Sequence, residues 1–129
     1  MAITTGWYDP EQSIYLYRFE GKWTWQAFYD EYYPALAQVR AVPHRVDTIV
    51  DLRHSGPLPA NVITNLKFLT DNQPPNAVLV AVISTNPFIS ALYEVAVRFY
   101  SKIGEYFCVV PTLEEALEMI RADRKAYSA

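Results

Sequence analysis

Seven consecutive apolar residues, AVLVAVI from Ala77 to Ile83, constrain the fold of this chain more than any other feature. Neither alternate set, Ala77/Leu79/Ala81/Ile83 or Val78/Val80/Val82, contains a polar side chain, so a strand here needs cover on both faces. The run is far too short to cross a bilayer. It therefore reads as an inner strand of a mainly parallel sheet, flanked by helices.

The rest of the sequence supplies those helices in alternation with strands. IYLYRFE (Ile14–Glu20) is rich in β-formers and follows the turn-like DPEQS, and ITTGWYD before it reads as the other arm of a hairpin. Trp25, Phe28, Tyr29, Tyr32, Leu36 and Val39 then recur at helical spacing, with Thr24 as N-cap and Pro34 expected to kink the helix. A strand follows from Val46 to Leu52. Val62, Ile63, Leu66 and Leu69 mark a second helix, closed by DNQPPN. After AVLVAVI, Asn86 and Pro87 open a third helix, expected to run to Ile103 and to stop at Gly104. Tyr106–Val110 is the last strand, and Thr112 to Glu115 form a capping box for a final helix with Leu113, Ala116, Leu117 and Ile120 on one face. The order (β)β-α-β-α-β-α-β-α predicts a single α/β domain over residues 1–129 with a mainly parallel mixed sheet. Residues 1–12 are expected to form an N-terminal arm or a hairpin strand, and residues 123–129 to fray.

At 129 residues the chain can bury a core without disulfides or metal, and its one cysteine, Cys108, cannot form an internal bridge. Cys108 lies in YFCVV and is expected to be buried and structural. The start, MAITTGWYDPEQ, has no basic segment followed by an apolar one, and a cytoplasmic location is expected. A net charge of −3 without a Lys/Arg cluster argues against nucleic acid.

Little chemistry is signposted. With four glycines, far apart, no P-loop or GxGxxG turn is possible. His44 and His54 lack helical metal-ligand spacing, and the lone cysteine completes no zinc set. No cofactor and no metal are expected. His54–Ser55 resembles a base and nucleophile, but sequence neighbours at a strand end point in different directions, so the pair reads as part of a polar strand-to-helix connection. The crevice beyond the carboxyl ends of parallel strands is where such sheets bind ligands. There the sequence places Arg53, His54 and Ser55 after one strand, Asn61 before the next helix, and Ser84, Thr85 and Asn86 after AVLVAVI. These are the candidate contact residues, and none is expected to be catalytic.

The order of motifs, IYLYRFEG, WQAFYDEYY, TIVDLR, AVLVAVIS and YFCVVPTLEEALEMI, resembles the STAS-like domains, the fold of bacterial anti-sigma factor antagonists, from Ser13 to Arg121. The resemblance implies a non-enzymatic interaction module with a regulatory protein partner. In signalling members a phosphorylatable serine stands at the start of the helix after the VDLR-like strand. Here that point is Pro59-Ala60-Asn61-Val62, and Ser55 comes too early, so no phosphorylation switch is expected. Related lipid carriers of the CRAL-TRIO type imply the alternative, a small-molecule or lipid-binding domain. Of 19 aromatic residues 11 lie in the first 33 positions, and Trp7, Tyr8, Tyr15 and Tyr17 are candidates for a dimer contact or an apolar groove. An uncovered apolar sheet face points to a homodimer.

Overall fold

The computed structural model describes residues 2–128, with side chains for residues 2–126. Strands β1 (Ile3–Trp7) and β2 (Ile14–Gly21) form an antiparallel hairpin, so the N-terminal arm is a hairpin strand. The Asp9 carboxylate closes the turn by accepting the backbone N–H groups of Ser13 and Ile14, each at 2.9 Å. Helix α1 (Trp25–Arg40), β3 (Val46–Ser55), α2 (Val62–Asp71), β4 (Ala77–Ile83), α3 (Pro87–Phe99), α4 (Ile103–Tyr106), β5 (Phe107–Val110) and α5 (Leu113–Ser128) follow. The sheet order is β1-β2-β3-β4-β5, and β2 through β5 are parallel.

That order decides where the helices go. Successive parallel strands laid side by side in one direction, joined by right-handed crossovers, send every connecting helix to the same face. One buried cluster accordingly joins Tyr15, Tyr17 and Phe19 of β2 to Phe28, Tyr32 and Val39 of α1, Leu69 of α2 and Ala96 of α3. α5 follows the last strand, is bound by no crossover, and covers the opposite face: Ala116 and Ile120 pack with Ile14, Ile49, Ala81, Ile83 and Val110. The face expected to need a second copy for cover is thus covered within the chain. Its apolar residues are no argument for a homodimer.

Several expectations need correction. α1 continues through Pro34, which lies on the exposed side of the helix, and the carbonyl of Asp30 that loses its donor belongs to an exposed residue too. α3 stops at Phe99, because Tyr100 is extended (φ −147°, ψ 91°) and directs its hydroxyl to Asp71 on α2; Gly104 lies inside the short α4 instead of ending α3. Residues 123–128 are the end of α5, where the side chains of Asp123 and Arg124 are held by the strand face; residue 129 of the expected frayed tail lies outside the described residues. The anchor is Asp47, wholly buried, whose carboxylate accepts from Arg45, from Arg124 Nε at 2.7 Å and from the backbone N–H of Leu79 at 3.0 Å. Burying a carboxylate is costly unless it is paired and hydrogen-bonded in this way.

Cys108 is half-buried rather than fully enclosed, on the α5 side of the sheet, and burial pushes its thiol up to about 11. α3 is the most loosely covered helix. It buries Ala96 and leaves Phe88 62 % and Phe99 78 % exposed. No helix among the described residues is long and apolar enough to cross a membrane.

Candidate functional site

Arg53, His54 and Ser55 are not a loop. β3 runs on to Ser55, and past an irregularity at Arg18/Glu20 the register places His54 opposite Glu20 and Ser55 opposite Gly21. The next residue, Gly56, donates its N–H to Gly21 O at 2.7 Å, and a Cβ on it would stand 2.9 Å from the Gly21 carbonyl carbon. Only glycine fits that approach.

The hydroxyl of Ser55 is fully engaged: it accepts from Trp23 Nε1 at 2.9 Å and donates to Gly56 O at 2.9 Å. No histidine reaches it among the described residues, so a nucleophile lacks its base. Arg53 grips Asp51 through Nε and Nη2 at 2.9 and 2.8 Å. That hydrogen bond, joined by the backbone N–H of Arg53 against the opposing effect of burial, holds the Asp51 carboxyl below the usual carboxylate range. Ser84 Oγ accepts from the backbone N–H of Asn86, and Asn86 Oδ1 caps α3 by accepting from Phe88 at 2.9 Å. Arg53, Ser55, Ser84, Thr85 and Asn86 do share one cleft at the carboxyl ends of β3 and β4. His54 does not line it. Asn61, at φ 67°, lies in a neighbouring groove between the start of α2 and Phe88 of α3.

Below this cleft lies a chamber that the sequence did not single out. It has a volume of about 120 Å³ and lies between β2–β5 and the helices α1, α2 and α3. Leu52, Leu58 and Ile89 are shared between its wall and the cleft, so the polar mouth opens toward an apolar interior. Its lining side chains carry polar atoms on Trp23, Trp25 and Tyr93 alone, and each is already bonded: Trp23 to Ser55, Trp25 Nε1 to Ala60 O at 2.6 Å, and the Tyr93 hydroxyl to Phe107 O. What faces the space is therefore hydrocarbon and ring surface. Trp25 and the Tyr29–Asn65 hydrogen bond (2.6 Å) also tie the roof, the loop before α2 and α2 itself, to α1.

A second, inner chamber of about 60 Å³ continues toward the amino ends of the strands. Phe28, Val50, Leu69 and Phe107 belong to both walls and stand between the two chambers. The inner wall is more polar, with Tyr17, Tyr32, Thr48 and Gln73.

Three of the four aromatic candidates share the cluster on the α1 side of the sheet. Tyr15 and Tyr17 are buried under α1, Tyr17 lining the inner chamber; Trp7 packs edge-on against Tyr15 at 4.9 Å, and Tyr8 stays exposed. Trp23, Trp25 and Phe28 line the outer chamber. Strand alternation alone could not say which of the rings near the N-terminus face a void. Among the described residues no group of three acidic, histidine or cysteine side chains is placed to hold a metal.

No protein-family model and no curated protein matches the chain. Among solved structures it is similar to an uncharacterised protein of the DUF3478 family with a SpoIIAA-like fold from Shewanella loihica PV-4, with a TM-score of 0.67. The match covers 92 % of this chain and 93 % of that one at 14 % identity, a likeness of fold. With its mainly parallel five-stranded sheet, this chain has the SpoIIAA-like fold, that of the STAS-like domains its sequence resembles.

Proposed function

We propose that the chain is a non-enzymatic binding domain that takes a small apolar or amphipathic molecule into the chamber between the sheet and α1–α3. The observation that carries this reading is the chamber wall: about 120 Å³ lined by apolar surface, every polar side-chain atom on it already bonded. An apolar void of comparable size, engineered into another protein, stays dry and admits benzene. Binding in it gains from burial of ligand surface and from dispersion contacts that the empty wall lacks. The polar cleft above it suits a ligand with a polar end.

Trp23 and Trp25 line the chamber and report on it. Titration with n-butylbenzene, followed by tryptophan fluorescence, is expected to give a saturable change. A linear or absent response up to the solubility limit overturns the reading.

A second reading, contact with a regulatory protein or with a second copy, is supported by α3, whose Phe88, Val95 and Phe99 are exposed. Sedimentation at micromolar concentration tests the homodimer. A dimer dissociated by Phe99→Ser supports it, and a monomer of 14.8 kDa excludes it.

A further inference from the structure

The inner chamber carries an observation that the outer one does not. Tyr32 is 7 % exposed, it lines the inner wall, and its hydroxyl has no hydrogen-bond partner among the described residues. An unpaired buried hydroxyl is costly, and native structures rarely keep one without a use. The ring itself is fixed: it stacks on Phe28 at 5.4 Å and meets Tyr29 and Tyr33 edge-on at 5.9 and 5.3 Å. The hydroxyls of Tyr17 and Thr48 belong to the same wall, whereas Gln73 spends its amide on Leu69 O.

We infer that the inner chamber is a second subsite, in which Tyr32 donates a hydrogen bond to a carbonyl-type acceptor on an otherwise apolar ligand. This rests on the binding reading above and narrows it: the ligand is an apolar skeleton bearing an acceptor group remote from the mouth, rather than a plain hydrocarbon. Phe28, Val50, Leu69 and Phe107 line both chambers. In this reading the bulk of the ligand fills the outer chamber, and its acceptor enters between these side chains to reach Tyr32. Burial, with Tyr33 and Tyr29 beside it, pushes the phenol of Tyr32 up to about 12, which keeps it a donor throughout the neutral range.

Two probes of similar shape separate the subsites. Benzylacetone carries a ketone on its side chain, and n-butylbenzene does not. Tyr32→Phe is expected to weaken benzylacetone about five- to tenfold, as loss of one ordinary hydrogen bond requires, and to leave n-butylbenzene unchanged or slightly tighter. The infrared stretch of the bound ketone should lie at lower frequency in the wild type and return upward in Tyr32→Phe. Because the hydroxyl has no partner, the unliganded variant should be at least as stable as the wild type.

Equal effects of Tyr32→Phe on the two probes overturn the inference and leave a buried water as the partner of Tyr32. A loss that follows Tyr17→Phe instead overturns the choice of donor. Destabilisation of the unliganded variant overturns the premise of a free hydroxyl. If n-butylbenzene binds and benzylacetone shows no dependence on Tyr32, the inner subsite fails while the outer one stands. If neither probe binds, both readings fall.

Discussion

Trp23 Nε1 and Ser55 Oγ are 2.9 Å apart, a hydrogen bond that joins the loop before α1 to the last residue of β3. It gives Ser55 a structural task. Ser55→Ala leaves the indole N–H of a 6 %-exposed tryptophan unpaired and is expected to cost about 1–2 kcal/mol in urea unfolding. It should not change fluorescence titrations by more than a small factor. The same bond argues against a phosphorylation switch: stoichiometric phosphate on Ser55 of the folded protein, read by mass spectrometry, would contradict this.

Asp51 makes stability depend on acid. Its carboxyl is held below the usual range first by the side-chain hydrogen bond from Arg53, so the folded state binds that proton less readily than the unfolded chain. The stabilisation is present above the unfolded value of 3.8 and is lost as pH falls through the lower folded value. Urea midpoints measured from about pH 6 down to about pH 2 should fall most steeply below about pH 4. Asp51→Asn should flatten that fall. An unchanged profile would remove Asp51 from the account.

Arg124 tests the last turns of α5. Its guanidinium bonds the buried Asp47 carboxylate and, through Nη2, the Ser13 carbonyl at 2.7 Å. Arg124→Met keeps much of the stem but strips those contacts, and is expected to cost about 2 kcal/mol, the range of hydrogen bonds to charged groups. Loss of helical circular dichroism together with the stability would place the end of α5 under this anchor. No loss in either would return it to a fraying tail.

Val82→Phe tests the outer chamber by filling it. A larger side chain in a close-packed core costs roughly 1–3 kcal/mol, but Val82 borders about 120 Å³ of open space. The expected result is stability within about 1 kcal/mol of the wild type and loss of n-butylbenzene binding. Retained binding would move the ligand elsewhere.

Cys108 should react slowly with thiol reagents. Burial comes first in raising its thiol to about 11, which leaves little thiolate at neutral pH. Labelling of the native protein as fast as that of the urea-unfolded chain would contradict this.

The sequence by itself determined the strand-and-helix order and most helix starts. The run Ala77–Ile83 demanded cover on both faces, and the Asn86–Pro87 and Thr112 caps act within a few residues of themselves. Such signals are local, and local physics suffices to read them. Where α3 ends was not legible, because the break at Tyr100 accompanies a hydrogen bond to Asp71, 29 residues away. Nor was the length of β3, since His54 and Ser55 become strand by pairing with Glu20 and Gly21.

Only the tertiary structure decided what covers the second face of the sheet and where a ligand could sit. α5 is amphipathic in any environment, but its docking depends on Asp47 gathering Arg45 and Arg124 from residues far apart in the chain. The chambers depend on how closely Phe28, Leu69, Val50 and Phe107 approach one another, each an ordinary core residue in the sequence. A void is the part of the interior that packing leaves unfilled. Its place is fixed by contacts between distant segments, and no spacing along the chain encodes it.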